Sequence, residues 1–492
     1  MGVIDGGQVA RHALFAVAVG VAGAAASIVL CLCVGLAWDA YQACWQLIFA
    51  LPALGILSLL LYRAWHLPLD MTTHKVVGYI RDDREVSPWL APGILIGTCL
   101  SILGGASVGK EAGALHMGAS LGDLVARPFK LRPVHRADAG QSMAGYAAAT
   151  GMAAAFAALF FAPLGSCMFV LELARFKRTV TKHLLSILLA CFVAFALASA
   201  VGIGDVIPKV ALPALSWPAV GQCAVIGVAC AIVGTLFVKA IDGLQRVTAR
   251  RSRDYYLWVA AGGLLIAGLT LAFGWQPFGG TGGPLLADAL AGRAGTWDFA
   301  VKAVVTALAL GLWFKGGEIM PSFTIGALLG ASCTAMTGGD AGWSAAVGVV
   351  AFFAAMSRCP LAAILMGCEI FGWEGAPLFA IAVAVSFPFG RDVGMYGLGA
   401  TSAVYHLGRA AALRVRDPER AAVVSAAVGA ADRAIVDERA RQTGAAPAAP
   451  ARADRRAVAD ALSQDVERAH RAMGAIEAEL ERRHEPTSGS QG

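Results

Sequence analysis

Long apolar runs dominate the first four fifths of the chain and predict membrane-spanning helices. About 20 apolar residues cross a bilayer as a helix. Several runs are shorter than that, and many are interrupted by Gly or Pro, which predicts broken helices that end inside the membrane. We therefore predict an all-α polytopic membrane protein. The clearest runs cover residues 13–37, 43–62, 89–105, 141–162, 182–203, 219–240, 255–274, 299–314, 341–356 and 376–388.

The composition agrees with this pattern and narrows the class of protein. Of the 492 residues, 58% are hydrophobic and 15% are charged, whereas a soluble globular chain has roughly 25% charged residues. An ordinary soluble enzyme, a disordered protein and a nucleic-acid-binding domain are thereby excluded. The 11 Cys lie in or beside apolar runs and lack the spacing of zinc ligands. We therefore expect buried free thiols, with no metal site and no cofactor.

The charge distribution divides the chain into two predicted parts. Basic and acidic residues are equal in number over residues 411–492, so the formal charge of +6 belongs to the apolar part. Lys and Arg of this kind are typical of the loops of a membrane protein. We predict a membrane domain over residues 1–406 and a charged helical tail over residues 407–492, on the cytoplasmic side.

Two segments of the membrane part share a Pro-to-Glu spacing. Glu172 follows Pro163 by nine residues, and Glu369 follows Pro360 by nine residues, with an apolar helical stretch between them in both cases. Either a functional carboxylate or a helix end in interfacial water would account for each Glu. The equal spacing is the first sign of an internal repeat.

A second match lies upstream of each Pro and supports the repeat. The sequence GASLG at 118–122 corresponds to GALLG at 326–330. We therefore predict two halves, at roughly 13–203 and 219–406. The residues alone leave open whether the second half is inverted in the membrane.

Each half contains one Gly-rich break that opens an apolar helix, GGASVGKEAG at 104–113 and KGGEIMPS at 315–322. Such a break exposes backbone N–H groups at a helix N-terminus, where the helix dipole favours an anion. Unpaired backbone survives inside a membrane only where it is buried or lines a cavity. Two such breaks that face each other would form an anion site near the midplane of the membrane.

Each break also carries a carboxylate, Glu111 in the first and Glu318 in the second. An ionisable group inside a membrane is costly and indicates function by default. A carboxylate at a helix N-terminus resembles the anion that would bind there. It can therefore block the site when it is charged and leave when it is protonated, which would couple protons to anions.

Two enzyme-like motifs in the first break compete with this interpretation. Residues 104–110 resemble a P-loop, but Glu111 follows the Lys where a metal-binding Ser or Thr is needed. The G-x-S-x-G around Ser107 would suit a membrane-embedded hydrolase, which also requires a His partner. No His in the membrane part of the sequence lies in a motif that would mark it as this partner.

The breaks and the repeat resemble the CLC family of chloride channels and anion/proton antiporters. GKEAG at 109–113 is similar to the family's G-[KR]-E-G-P gate, and KGGEIMPSF at 315–323 is similar to its G-G-x-F-x-P motif. Residues 151–172 and 357–369 resemble the long signatures of the two halves. The resemblance covers roughly residues 60–400.

The resemblance implies a homodimer of CLC-type inverted-repeat subunits, in each of which broken helices point their N-termini at a midplane anion site. It makes Glu111 the gating glutamate and the site of proton transfer. Tyr396 is the best candidate for the central pore tyrosine, with Thr401 or Tyr405 as alternatives if the last helix is shifted. The implied partners are anions, protons and the lipid bilayer, in a multi-pass protein of the cell membrane, expected to be a bacterial inner membrane.

Three departures from the chloride pattern resemble the fluoride/proton antiporter branch of the family. Met71, in LDMTTH at 69–74, stands near the place of the usual anion-coordinating Ser. Glu318 occupies a position that is apolar in chloride members. Leu173 stands where many chloride antiporters carry an internal proton-transfer Glu.

Other positions differ from the fluoride branch as well. Met320 precedes the Pro of the second motif, where that branch often has Thr. His74 and Val77 stand three and six residues beyond Met71, where that branch has a pair of Phe.

The expected function is export of fluoride against proton entry. In this hypothesis Glu111 is the gate, and Met71, Lys110, Tyr396 and the N–H groups near Met320 border the anion path. Glu318 is a second coupling carboxylate. The alternatives are a chloride or nitrate transporter or a passive channel of the same fold, and a hydrolase that uses Ser107.

Overall fold

Helices account for nearly all of the regular structure. The computed structural model describes residues 6–131, 142–204, 207–252, 254–389 and 394–396. Within them lie seventeen α-helices and one isolated antiparallel bridge. The chain divides into two units, Met1–His406 and Leu407–Gly492, and the second, with the predicted tail, lies outside the described residues. The helices are α1 Gly6–Ala43, α2 Leu51–Ala64, α3 Thr73–Arg81, α4 Leu90–Leu103, α5 Glu111–Phe129, α6 Ala144–Phe160, α7 Pro163–Leu173, α8 Arg178–Thr181, α9 Leu184–Val201, α10 Trp217–Arg251, α11 Tyr255–Phe273, α12 Gly283–Leu290, α13 Asp298–Gly311, α14 Ile319–Thr337, α15 Ala341–Ser357, α16 Pro360–Phe371 and α17 Ala376–Phe389.

Five helical segments are long and apolar enough to cross a membrane. Only 28% to 44% of the residues in their apolar windows are buried inside the protein. The remaining apolar side chains therefore face outwards, as expected of helices in contact with lipid. These segments confirm five of the predicted apolar runs. They are Gly6–Ala43, Trp45–Ala64, Leu184–Val201, Trp217–Arg251 and Tyr255–Phe273.

The shorter helices form the interior, and they pack through small residues. The helices α6 and α15 are buried over almost their whole length. A Cβ on Gly118 of α5 would collide with the Gly151 carbonyl of α6. A Cβ on Gly326 of α14 would meet the Gly348 carbonyl of α15 in the same way. Small residues allow helices to approach this closely, and the two equivalent contacts confirm the predicted repeat.

The Glu at the end of each Pro-to-Glu segment caps the equivalent helix of the other half. The Glu172 carboxylate, near the end of α7, accepts the backbone N–H groups of Leu361 and Ala362 at 3.4 and 2.8 Å, at the start of α16. The Glu369 carboxylate, near the end of α16, accepts those of Leu164 and Gly165 at 2.9 and 2.7 Å.

This exchange of caps has two consequences. The two helices run antiparallel, because each C-terminal end lies at the other's N-terminal end, so the repeat is inverted. The interpretation of Glu172 as a helix end in interfacial water is wrong, because its side chain is fully buried. Both carboxylates satisfy N–H groups that a helix start leaves without intrahelical partners.

Candidate functional site: an anion site where two helix breaks pair

The two Gly-rich breaks bind each other through their backbones. The Gly109 N–H donates to the Gly317 carbonyl at 2.6 Å, and the Gly317 N–H donates to the Gly109 carbonyl at 2.6 Å. A Cβ on Gly317 would lie 2.7 Å from the Ala112 backbone nitrogen, so only glycine fits there. The pair brings the starts of α5 and α14 together, and the two positive helix ends converge on one region.

The Glu111 carboxylate lies at this meeting point. It belongs to the first turn of α5, but its Oε2 accepts the backbone N–H of Met320, in the first turn of α14, at 3.1 Å. The side chain is 0% exposed. A carboxylate of one half thus occupies the N-terminus of a helix of the other half, which is the position that an anion would take.

A buried lysine that the sequence analysis did not single out supports this region. Lys302, on α13, donates from Nζ to the carbonyls of Phe278 and Gly280, both at 3.0 Å. The Gly280 N–H in turn donates to the Ala106 carbonyl in the first break at 3.1 Å. Lys302 also lies close enough to Glu111 for their charges to interact. It therefore fixes the loop beside the gate and partly balances the gate's charge.

A cavity of about 840 Å³ opens beside the paired breaks. It brings together three of the predicted site residues, Met71, Glu318 and Tyr396, whereas Glu111, Lys110 and Met320 are not on its wall. The wall carries charges of both signs as well as apolar side chains. Its lining residues are Asp70, Met71, Thr72, Thr73, His74, Lys75, Ile94, His116, Lys239, Ile241, Asp242, Gln245, Arg246, Leu310, Trp313, Phe314, Lys315, Gly316, Glu318, Gly394, Met395 and Tyr396.

Glu318 and Tyr396 lie side by side on the cavity wall. The Glu318 carboxyl faces the hydroxyls of Tyr396 and Thr73. The Tyr396 ring packs edge-on against Phe169 with 5.8 Å between ring centroids, and the neighbouring Met395 N–H donates to a carbonyl at the end of α15. The alternatives for the pore tyrosine, Thr401 and Tyr405, lie outside the described residues.

Met71 follows a stretch that a second buried lysine holds in place. The Lys315 Nζ donates to the Leu69 carbonyl at 2.5 Å and lies 4.5 Å from the centroid of the Tyr62 ring. Met71 is buried and lines the cavity. Lys302 and Lys315 each stand in an otherwise apolar stretch of the sequence. Since a charge at membrane depth is costly, this placement was the sequence feature that could have identified them.

The remaining candidates take different places. Lys110 is half-buried at the N-cap of α5. Ser107 is buried, and its hydroxyl lies 2.8 Å from that of Thr306, so it has the environment of a structural hydroxyl. His74 lines the cavity, and Val77 is fully buried.

A comparison with protein families identifies the fold and the general activity. The family model described as voltage gated chloride channel matches residues 54–391, well over half of the chain. The chain belongs to this family, the CLC proteins. It is therefore a multi-pass membrane protein of a family of anion channels and transporters, and it is not an enzyme. The hydrolase alternative built on Ser107 is thereby wrong.

Curated relatives and solved structures include both fluoride and chloride members. A chloride/fluoride channel protein of Pseudomonas syringae pv. tomato is 33% identical over 71% of this chain and 77% of its own length. An H(+)/Cl(-) exchange transporter, ClcA, of Cronobacter sakazakii is 28% identical over 60% of this chain and 65% of its own. The crystal structure of a CLC-type fluoride/proton antiporter superimposes with a TM-score of 0.73, at 24% identity, over 79% of this chain and 97% of that one.

Proposed function

We propose that this CLC protein exports fluoride in exchange for protons, with Glu111 as both the gate and the proton carrier. The observation that carries the proposal is the 3.1 Å hydrogen bond from the Met320 N–H to the Glu111 carboxylate. When it is ionised, the carboxylate occupies the N-terminus of α14 and excludes the anion. When it is protonated, it loses the charge that holds it there, and an anion takes its place.

The other predicted residues take supporting parts in this proposal. The backbone N–H of Met320 binds the anion, Lys110 adds positive charge at the start of α5, and Met71 and Tyr396 border the path from the cavity. Glu318 is a second coupling carboxylate, since it faces the cavity next to the Tyr396 hydroxyl. We also propose that the protein is a homodimer in a bacterial inner membrane, with residues 407–492 as a cytoplasmic tail.

Fluoride as the anion is supported by the names of two relatives and by chemistry. A protonated carboxyl group, such as Glu111 or Glu318 in its neutral form, donates a hydrogen bond to a small anion. Met71 offers no hydroxyl donor where chloride members have Ser. The second candidate is chloride or nitrate transport, which the 28% identical chloride exchanger and the departures at His74, Val77 and Met320 favour.

Reconstitution in liposomes tests the proposal. Fluoride and chloride efflux are measured separately with ion-selective electrodes, and proton uptake is followed with an internal pH dye. The wild type is expected to move fluoride faster than chloride and to take up protons as it does so. Glu111→Gln is expected to abolish the proton uptake. Chloride flux equal to or larger than fluoride flux would overturn the fluoride assignment, and flux without proton uptake in the wild type would overturn the exchange.

A further inference from the structure

A group of buried polar side chains behind the cavity has no part in the proposed gate. The ring nitrogens of His116 on α5 and the hydroxyls of Ser58 and Tyr62 on α2 are buried and, among the described residues, have no hydrogen-bond partner. Buried polar side chains are nearly always satisfied, so each exception needs an explanation. Three exceptions in one place point to a ligand that these groups bind together.

Lys315 lies among these groups. Its ammonium group lies over the Tyr62 ring, and it acts electrostatically on His116. A Cβ placed on Gly97 of α4 would lie 2.9 Å from both the Ser58 Oγ and the Lys315 Cβ, so these two side chains meet at the same point. We refer to Ser58, Tyr62, His116 and Lys315 as the lysine cluster.

The lysine cluster offers no counter-charge to Lys315 in its protonated form. Lys315 is 4% exposed and makes no ion pair within the part of the chain that the structure describes. The carboxylate that acts on it electrostatically, Asp70, already pairs with Lys75 at 2.6 Å. A buried ammonium without a counter-charge is strongly unfavourable, and an anion would remove that cost.

The donors of the lysine cluster suit a small anion. An ammonium group has three N–H donors, and the Leu69 carbonyl accepts one of them. A neutral imidazole adds one N–H, and Ser58 and Tyr62 add hydroxyl donors. Both His116 and Lys315 line the cavity and Glu111 does not, so an anion in the cavity reaches these two residues without passing Glu111.

We propose that the lysine cluster is a second anion-binding site, separate from the gate, that holds a halide at the cavity wall. The charge of Lys315 attracts the ion, and the imidazole of His116 supplies a directed N–H donor. The Glu318 carboxyl lines the same cavity. As a step on the transport path, this site rests on the proposed function; as a binding site, it does not.

Calorimetric titration of the purified full-length protein with sodium fluoride, and separately with sodium chloride, tests the site. His116→Leu removes the imidazole without touching the bond between Lys315 and Leu69. It is expected to weaken one fluoride-binding event by about tenfold or more, and His116→Gln, which keeps an N–H donor, is expected to restore most of the affinity. Identical isotherms for the wild type and His116→Leu would overturn the proposal.

Matched variants separate binding from folding. His183→Leu removes another buried imidazole, which donates from Nδ1 to the Thr179 carbonyl at 2.7 Å and stacks on His12, outside the cavity. It is expected to leave the titration unchanged, whereas Lys315→Met weakens binding and Lys315→Arg retains it. A loss of thermal stability in Lys315→Met with unchanged fluoride affinity would make Lys315 a structural support only and would contradict the site.

The liposome assay distinguishes failure of this site from failure of the proposed function. His116→Leu is expected to raise the half-saturating fluoride concentration and leave the maximal rate unchanged. If the wild type carries no fluoride, yet His116→Leu still loses affinity in the titration, the proposed function is wrong and the site stands. If the wild type carries fluoride and the titrations are identical, the site is wrong and the function stands.

Discussion

The two Gly-rich breaks have similar backbones but place their carboxylates differently. Gly109 and Gly317 bind each other as equals, and each break opens a helix of the interior. Glu111, one residue inside α5, reaches across to the start of α14. Glu318, one residue before α14, turns instead towards the cavity and Tyr396. Glu111 is the first residue of α5 and Glu318 is the N-cap of α14, so this shift of one residue makes one carboxylate a blocking group and the other a cavity group.

Because their environments differ, we expect the two carboxylates to have different functions. Glu111 accepts the backbone N–H of Met320, which favours the charged form and which an anion would need. Glu318 faces the hydroxyls of Tyr396 and Thr73 on the cavity wall, so an ion in the cavity can approach it while the backbone pair stays intact. The repeat places both carboxylates at helix starts, and their different contacts make the two sides of the site unequal.

The largest expected effect comes from exchanging the two carboxylates for amides. Glu111→Gln should lower fluoride-driven proton uptake by about 100-fold or more, because the amide cannot carry a proton. Glu318→Gln should lower it by a much smaller factor and should mainly slow the anion. Proton uptake and fluoride efflux in liposomes measure both effects. Equal losses of proton uptake in the two variants would remove the distinction drawn between them.

The pairing of the breaks should be sensitive to a single methyl group. Gly317→Ala places a Cβ 2.7 Å from the Ala112 nitrogen and should destabilise the protein by about 1–3 kcal/mol through overpacking. Thermal denaturation in detergent measures this change. Gly268→Ala on α11, where no atom lies within 4 Å of an added Cβ, is the control and should be neutral or slightly stabilising. Equal stabilities for the two variants would mean that the breaks are not closely packed.

The two reciprocal helix caps should lose similar stability when either carboxylate is replaced, in contrast to the unequal effects expected at the two breaks. Glu172→Gln and Glu369→Gln each weaken two hydrogen bonds to a helix start and should each destabilise the protein by about 1 kcal/mol. Each variant should retain proton coupling, since the hydrogen bonds described for both carboxylates are with the starts of α7 and α16. Thermal denaturation and the liposome assay check the pair. Loss of coupling in either variant would give that carboxylate a function beyond capping.

The smallest expected effect concerns selectivity. Met71→Ser restores a hydroxyl at the cavity wall and should raise chloride flux relative to fluoride flux by less than about tenfold, since one contact discriminates weakly. Parallel efflux measurements with the two anions give this ratio. Met117→Leu, a change to a methionine that does not line the cavity, serves as the control. A fall in the ratio of chloride flux to fluoride flux would show that Met71 does not favour fluoride over chloride.

Local patterns in the sequence predicted much of this fold. The match between GASLG at 118–122 and GALLG at 326–330 indicated the repeat, and the Pro-to-Glu spacing marked α7 and α16, because both are short patterns along the chain. The partners of Glu172 and Glu369 were not predictable, since Leu361 lies 189 residues from Glu172 and Leu164 lies 205 residues from Glu369.

The candidate site was predicted only in part, again because short sequence patterns do not reveal contacts between distant residues. The Gly-rich breaks indicated helix N-termini, and Glu111 stood in one of them. The bond between Glu111 and Met320, the support that Lys302 gives to the first break, and the surroundings of His116 all depend on how helices of different halves pack. Such contacts are set by tertiary structure and leave no periodic signal in the sequence.

The most direct test of the account is whether fluoride and the Glu111 carboxylate compete for the start of α14. Fluoride binding is titrated at neutral and at acidic pH for His116→Leu and for the double variant His116→Leu/Glu111→Gln, so that binding at the lysine cluster is weakened in both. Acidification should strengthen binding to the Glu111-containing protein, because protonation removes the competing charge. Glu111→Gln should bind fluoride tightly at both pH values. Equal affinity and equal pH dependence with and without the carboxylate would contradict the account.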